Sequence, residues 1–166
     1  MNKSKNNIFY VNGDLLQQKV DIICHQTNCI GVMGGGIALS IKKKYPNVYQ
    51  EYHNFCMKYK ENHSKLLGIC QIVKTGGKKP FFIANLFGED VPSANSIDTN
   101  YSALKNAMLS LKERILSISK DTPITIGFPY KIGCGLAGGD WTIVEKIIYD
   151  VFDGIKNITV VIVKLS

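Results

Sequence analysis

The sequence predicts an α/β sandwich built on a mixed, mostly parallel central sheet. Short apolar runs rich in β-branched residues alternate with helical patterns of 10 to 20 residues, the layout that packs helices onto a parallel sheet. Residues 20–25 (VDIICH) form a nearly unbroken apolar run, as a strand covered on both faces requires. No internal repeat, low-complexity tract or long linker interrupts the 166 residues. At about 150 residues per domain, residues 1–166 read as a single domain.

The elements follow in order. Residues 7–11 (NIFYV) read as a first strand, ended by Asn12-Gly13-Asp14. After Gly34-Gly35-Gly36 a helix runs to Tyr45, because Pro46 disfavours helix in the residue before it. Residues 46–61 carry a second helical pattern, with Val48, Tyr52, Phe55 and Tyr59 recurring at spacings of three and four. Residues 67–74 and 80–86 read as strands joined by the turn Thr75-Gly76-Gly77-Lys78-Lys79. Asp98 or Thr99 is expected to cap a helix to about residue 119, burying Leu104, Met108, Leu111, Ile115 and Ile118. Residues 123–128 form another strand, a glycine-rich loop over 133–139 opens a helix over 140–153, and 158–163 is the last strand.

The 20 Lys and Arg outweigh the 13 Asp and Glu to give a formal charge of +7, which favours anionic partners such as nucleic acid or phosphorylated metabolites. An apolar run long enough to cross a membrane is missing, so a membrane role is not expected. The five cysteines (Cys24, Cys29, Cys56, Cys70, Cys134) form no CxxC pair. Free thiols in a reducing cytoplasm are the reading, with neither a disulfide framework nor a zinc knuckle.

In parallel sheets ligands sit beyond the carboxyl ends of the strands, and two segments there are glycine-rich. CHQTNCIGVMGGGIALSIKKKYP places Gly34, Gly35 and Gly36 at a helix start; FPYKIGCGLAGGDW places Gly133 to Gly139 at another. Unpaired amides and the positive helix end suit a phosphate, so the pair is read as one site for a phosphate-bearing ligand. Neither loop matches GxGxxG in its usual place or a P-loop.

Around these loops His25 is a candidate acid, base or nucleophile, or a residue that bonds a loop carbonyl. Asn28 can bind ribose hydroxyls or stabilise its own turn, and Asp14 can accept from a base amino group or cap a turn. His53, His63 and the run Lys42-Lys43-Lys44 read as solvated, and Trp141 as a packing anchor.

Gly13-Asp14-Leu15-Leu16, residues 21–29 (DIICHQTNC), Gly34-Gly35-Gly36-Ile37-Ala38 and residues 132–141 (IGCGLAGGDW) stand in one order along the chain. In that combination the sequence resembles the macrodomain family. The resemblance implies a three-layer α/β/α fold that binds ADP-ribose with its diphosphate between the two loops. It implies ligand contacts at Asp14, Leu15, Asn28, Gly34, Gly35, Gly36, Ile37, Gly133, Cys134, Gly135 and Leu136. The chain is most similar to the branch containing the fungal ADP-ribose-1″-phosphate phosphatase. Hydrolases of ADP-ribosylated glutamate or DNA bases carry a lysine where this chain has Asn85, and one adds an aspartate where it has Ala137. A further hydrolase class keeps an acidic residue just after the triple glycine, where Ala38 follows Ile37. The expectation is therefore a phosphatase in which His25 protonates the leaving oxygen or forms a phosphohistidine, with an ADP-ribosyl hydrolase or a non-catalytic ADP-ribose-binding module as the alternatives. A carboxylate on the mobile segment 88–98, Asp90, would orient water. No cofactor or metal is expected. A small ADP-ribose derivative is the partner, with ADP-ribosylated protein or nucleic acid as the alternative, and the chain is expected to act as a cytoplasmic monomer.

Overall fold

The strands are β1 (Ile8–Asn12), β2 (Ile22–Thr27), β3 (Cys70–Lys74), β4 (Phe82–Phe87), β5 (Ile124–Pro129) and β6 (Ile158–Lys164). The helices are α1 (Gly36–Lys44), α2 (Pro46–Met57), α3 (Tyr101–Ile118) and α4 (Trp141–Phe152). The structure is a computed structural model that describes residues 6–93 and 97–165. Its six strands form one sheet ordered β1-β6-β5-β2-β4-β3. Among the strands of this sheet β3 and β4 pair antiparallel, and β1–β6, β6–β5, β5–β2 and β2–β4 pair parallel.

Alternation along the strands sends side chains into two separate cores. On one face Ile22 and Cys24 of β2 meet Leu104, Met108 and Leu111 of α3 and Val144 and Ile148 of α4. On the other face Ile23 meets Ile41 of α1 and Val48 of α2. The result is the expected three-layer sandwich. Among the described residues no helix is long and apolar enough to cross a membrane.

Several local readings need correction. The helix predicted over 46–61 stops at Met57: the Tyr59 amide bonds the Cys56 carbonyl, three residues back, and a 3-10 segment follows at Lys60–Leu66. The cap of α3 is Asn100, whose side chain accepts from the Ala103 amide. Thr99 does not cap because its hydroxyl donates to the Gly133 carbonyl instead. Ile118 is 82% exposed at the end of α3, so the buried stripe stops at Ile115. Strand β3 begins at Cys70 rather than 67, since Gly68 turns the chain at φ +88°.

Candidate functional site

The topology itself creates a crevice. From β2 the chain leaves to α1 on one face, while from β5 it leaves to α4 on the opposite face. β2 and β5 are sheet neighbours, so this is the point where ligands bind in open α/β sheets. The two strands pair only at Ile22↔Ile126 and Ile23↔Gly127, so beyond that register they part.

The first wall is the loop from Asn28 to Gly35. Gly35 caps α1 with extended backbone and no side-chain bond, so the amides of the first helical turn stay open. Gly36 sits at φ +55°, a conformation that favours glycine. Ile37 is half-buried and packs against the α1–α2 core. Asn28 builds this loop. Its Oδ1 accepts from the Ile30 and Val32 amides and from the Tyr52 hydroxyl, and its Nδ2 donates to the Val32 carbonyl. Of its two readings, stabilising its own turn is the one the structure shows.

The second wall is the loop over 133–139. The Gly133 carbonyl accepts from the Gly139 amide at 2.9 Å and from the Thr99 hydroxyl at 2.6 Å. Gln26 Nε2 supports that hydroxyl at 3.0 Å from the crevice floor. The Ala137 carbonyl takes the Asp98 and Thr99 amides. These bonds leave the Gly135 and Leu136 amides without a partner among the described residues. Cys134 is half-buried, and burial raises its thiol pKa above the ordinary value.

The two walls meet. A methyl group added at Gly35 would lie 3.1 Å from a δ-carbon of Leu136, whose side chain is 88% exposed. One flexible, solvated side chain thus spans the gap, and the main chains on either side face each other across it.

His25 departs from the expectation. It is fully buried on β2, and its Nε2 lies 2.6 Å from Asn85 Oδ1 on β4. Burial pushes the imidazole down to about 4, against the smaller upward pull of Asn85. The expected acid or nucleophile thus stands as a neutral ring held against Asn85 in the strand layer.

Asp14 is exposed, and its Oδ1 caps the 3-10 turn Leu15–Gln17 by accepting from the Leu16 amide. Leu15 is 5% exposed and its side chain packs toward Gly127 of β5, so any ligand contact runs through its main chain. Lys44 is not merely solvated: its Nζ donates to the Leu16 carbonyl and ties that turn to α1. Asp90 pairs with His63 Nδ1 at 2.6 Å, a bond the solvated reading of His63 overlooks, and its carbonyl accepts from the Cys29 amide. His53 Nδ1 likewise meets the Gly31 carbonyl at 3.2 Å. Residues 94–96 of the segment expected to be mobile lie outside the described residues.

Beyond Asp14 an open hollow of about 380 Å³ lies among Tyr10, Asn12, Tyr130, Trp141, Glu145 and Lys164. Its rings are already engaged. Trp141 meets Tyr130 edge-on at 5.1 Å, as a packing anchor does, and Lys131 and Lys164 lie 5.7 and 5.2 Å from the Tyr130 centroid. The Tyr10 hydroxyl donates to Glu145.

Residues 24–148, which include both glycine loops, match the family model for the Macro domain. The chain belongs to the macrodomain family. This macrodomain is 30% identical over 165 residues to a protein named ADP-ribose 1″-phosphate phosphatase from Debaryomyces hansenii, covering 85% of the chain and 92% of that relative. It is 29% identical over 156 residues to the DNA ADP-ribosyl glycohydrolase of Mycobacterium tuberculosis, covering 93% of the chain but 41% of that protein. The solved macrodomain of Mycobacterium tuberculosis DarG superposes with a TM-score of 0.80 at 27% identity, covering 94% of this chain and 96% of that one.

Proposed function

We propose that this macrodomain binds ADP-ribose with its diphosphate between the Gly34–Gly36 and Gly133–Leu136 amides and removes the phosphate of ADP-ribose 1″-phosphate. The observation that carries the reading is the approach of Gly35 to Leu136 over a crevice walled by open amides. Main-chain N–H groups with a helix N-terminus behind them suit two adjoining phosphates, and they would also stabilise charge that grows on a phosphoryl group. The Debaryomyces relative's name and the extent of the match support the phosphatase chemistry. Asp90 remains the candidate for orienting water, through the carboxylate oxygen that His63 leaves open. His25 would act only as a neutral acceptor. A cytoplasmic monomer without cofactor completes the proposal.

The alternative is removal of ADP-ribose from a modified nucleic acid or protein, favoured by the likeness to the DarG macrodomain and its glycohydrolase relative. Incubation with ADP-ribose 1″-phosphate and, separately, with ADP-ribosylated DNA and ADP-ribosylated protein divides the readings. The proposal predicts inorganic phosphate from the first and intact label on the others. Loss of label without phosphate would establish the alternative, and binding without either product would make the chain a capture module.

Asp14 offers a test of the adenosine end. Asp14→Asn keeps an oxygen for the Leu16 amide but replaces the free carboxylate oxygen that would accept from the adenine amino group. Affinity for ADP-ribose is expected to fall about tenfold by calorimetry, some 1.5 kcal/mol for a charge-assisted hydrogen bond. Unchanged affinity would place adenine elsewhere.

A further inference from the structure

We propose that Asn85 and Gln71 are positioning residues that fix the tautomer of His25, leaving its Nδ1 as a bare hydrogen-bond acceptor beneath the crevice. The sheet register puts the three side by side, His25 opposite Asn85 and Asn85 opposite Gln71, on β2, β4 and β3. Their hydrogen bonds run in one direction, and the direction is set at the far end. Gln71 meets the Glu51 carbonyl of α2 at 3.4 Å, and a carbonyl only accepts, so Gln71 presents Nε2 there. Gln71 Oε1 is then the atom left for Asn85, whose Nδ2 donates to it at 3.0 Å. That turns Asn85 Oδ1 toward His25 Nε2, 2.6 Å away. A carboxamide oxygen has no hydrogen to give, so Nε2 carries the proton and Nδ1 of the neutral ring keeps its lone pair.

Nδ1 is fully buried with no partner among the described residues. Nε2 is turned to Asn85 on β4, so Nδ1, on the other side of the ring, faces away from that carboxamide. Thr27 Oγ1, two residues along the same face of β2, is also buried and unpartnered. Buried polar atoms without partners are rare, and two on one face of one strand suit an O–H donor. The donor class that fits is water, held by an imidazole that accepts and a threonine hydroxyl that gives or accepts. The tautomer stands independently of any ligand. Its consequence for turnover rests on the phosphatase reading: His25 orients a water or a ribose hydroxyl instead of acting as the acid.

Nitrogen-15 NMR of the imidazole rings at pH 7 tests this directly, with the three histidines assigned by loss of signal in His25→Gln, His53→Gln and His63→Gln variants. The wild type is expected to show His25 as a neutral ring in the Nε2–H form alone. In Asn85→Leu the Nδ1–H form is expected to appear as a second population. In Asn85→Asp, which restores an acceptor at Nε2, the Nε2–H form is expected to return, a rescue that a merely structural role would not produce. An Nδ1–H or doubly protonated His25 in the wild type overturns the proposal, and so does an Asn85→Leu variant that folds with the tautomer unchanged. The wild-type spectrum decides the matter by itself if Asn85→Leu does not fold. ADP-ribose titrated into the same wild-type sample separates the two ideas: no binding alongside an Nε2–H ring faults the ligand reading and leaves the relay standing.

Discussion

Gly139→Ala is expected to weaken ADP-ribose binding about 100-fold while the six-stranded sheet stays folded. Its new methyl would lie 2.6 Å from the Gly133 carbonyl oxygen and 3.3 Å from the carbonyl carbon, both main-chain atoms that cannot swing aside like a side-chain tip. The same oxygen holds the Gly139 amide and the Thr99 hydroxyl. Relieving the clash moves that carbonyl, breaks both bonds and displaces the Gly135 and Leu136 amides from the crevice. Two lost hydrogen bonds to a charged phosphate, at about 1.5 kcal/mol each, amount to roughly two orders of magnitude in affinity. Calorimetry with ADP-ribose reads the loss, and circular dichroism checks the fold. Gly77→Ala, whose methyl meets nothing within 4 Å in the β3–β4 turn, serves as the neutral control. Wild-type affinity in Gly139→Ala would mean that the second loop does not hold the ligand.

His25 is expected to make the fold acid-sensitive. Its imidazole sits near 4 in the folded chain, while an unfolded histidine titrates near its ordinary value of about 6.5. Above about 6.5 neither state is protonated, and the full stability is present. As the pH falls from there toward 4, the unfolded chain takes up a proton that the folded chain refuses, so stability drains away. Between about pH 7.5 and 5 the loss attributable to this one group is about 2 kcal/mol. Urea unfolding of the wild type and of His25→Gln at both pH values isolates it. The wild type is expected to lose about 2 kcal/mol more than the variant, and equal losses would show that His25 titrates normally.

The two glycine loops were readable in advance because their signal is local: glycines just past an apolar run and just before a helical one mark a cradle without knowledge of distant contacts. A mostly parallel sheet covered by helices followed from the same alternation of runs, and the three layers from the resemblance to the macrodomain family; the strand order was not readable. The parts that hold the cradles were not readable. Gln26, Thr99 and Gly133 form one brace, yet Gln26 and Thr99 are 73 residues apart and Thr99 and Gly133 are 34 apart. No spacing rule joins them. Thr99 looked like a cap because its residue type favours caps, and the demand of the Gly133 carbonyl took precedence. His25 was read as a reactive group or a partner for a loop carbonyl, because the register that sets it beside Asn85 is not written in any local pattern. Asn28 had two readings that differ only in whether its carboxamide is already occupied, and Tyr52 on α2 helps to occupy it.

The convergence of both loops on one diphosphate is tested most directly by following backbone amide resonances as ADP-ribose is added to the wild-type protein. The account predicts that the amides of Gly35, Gly36 and Ile37 and those of Gly135 and Leu136 shift together, with one shared saturation curve. Shifts confined to a single loop, or to neither, would contradict it.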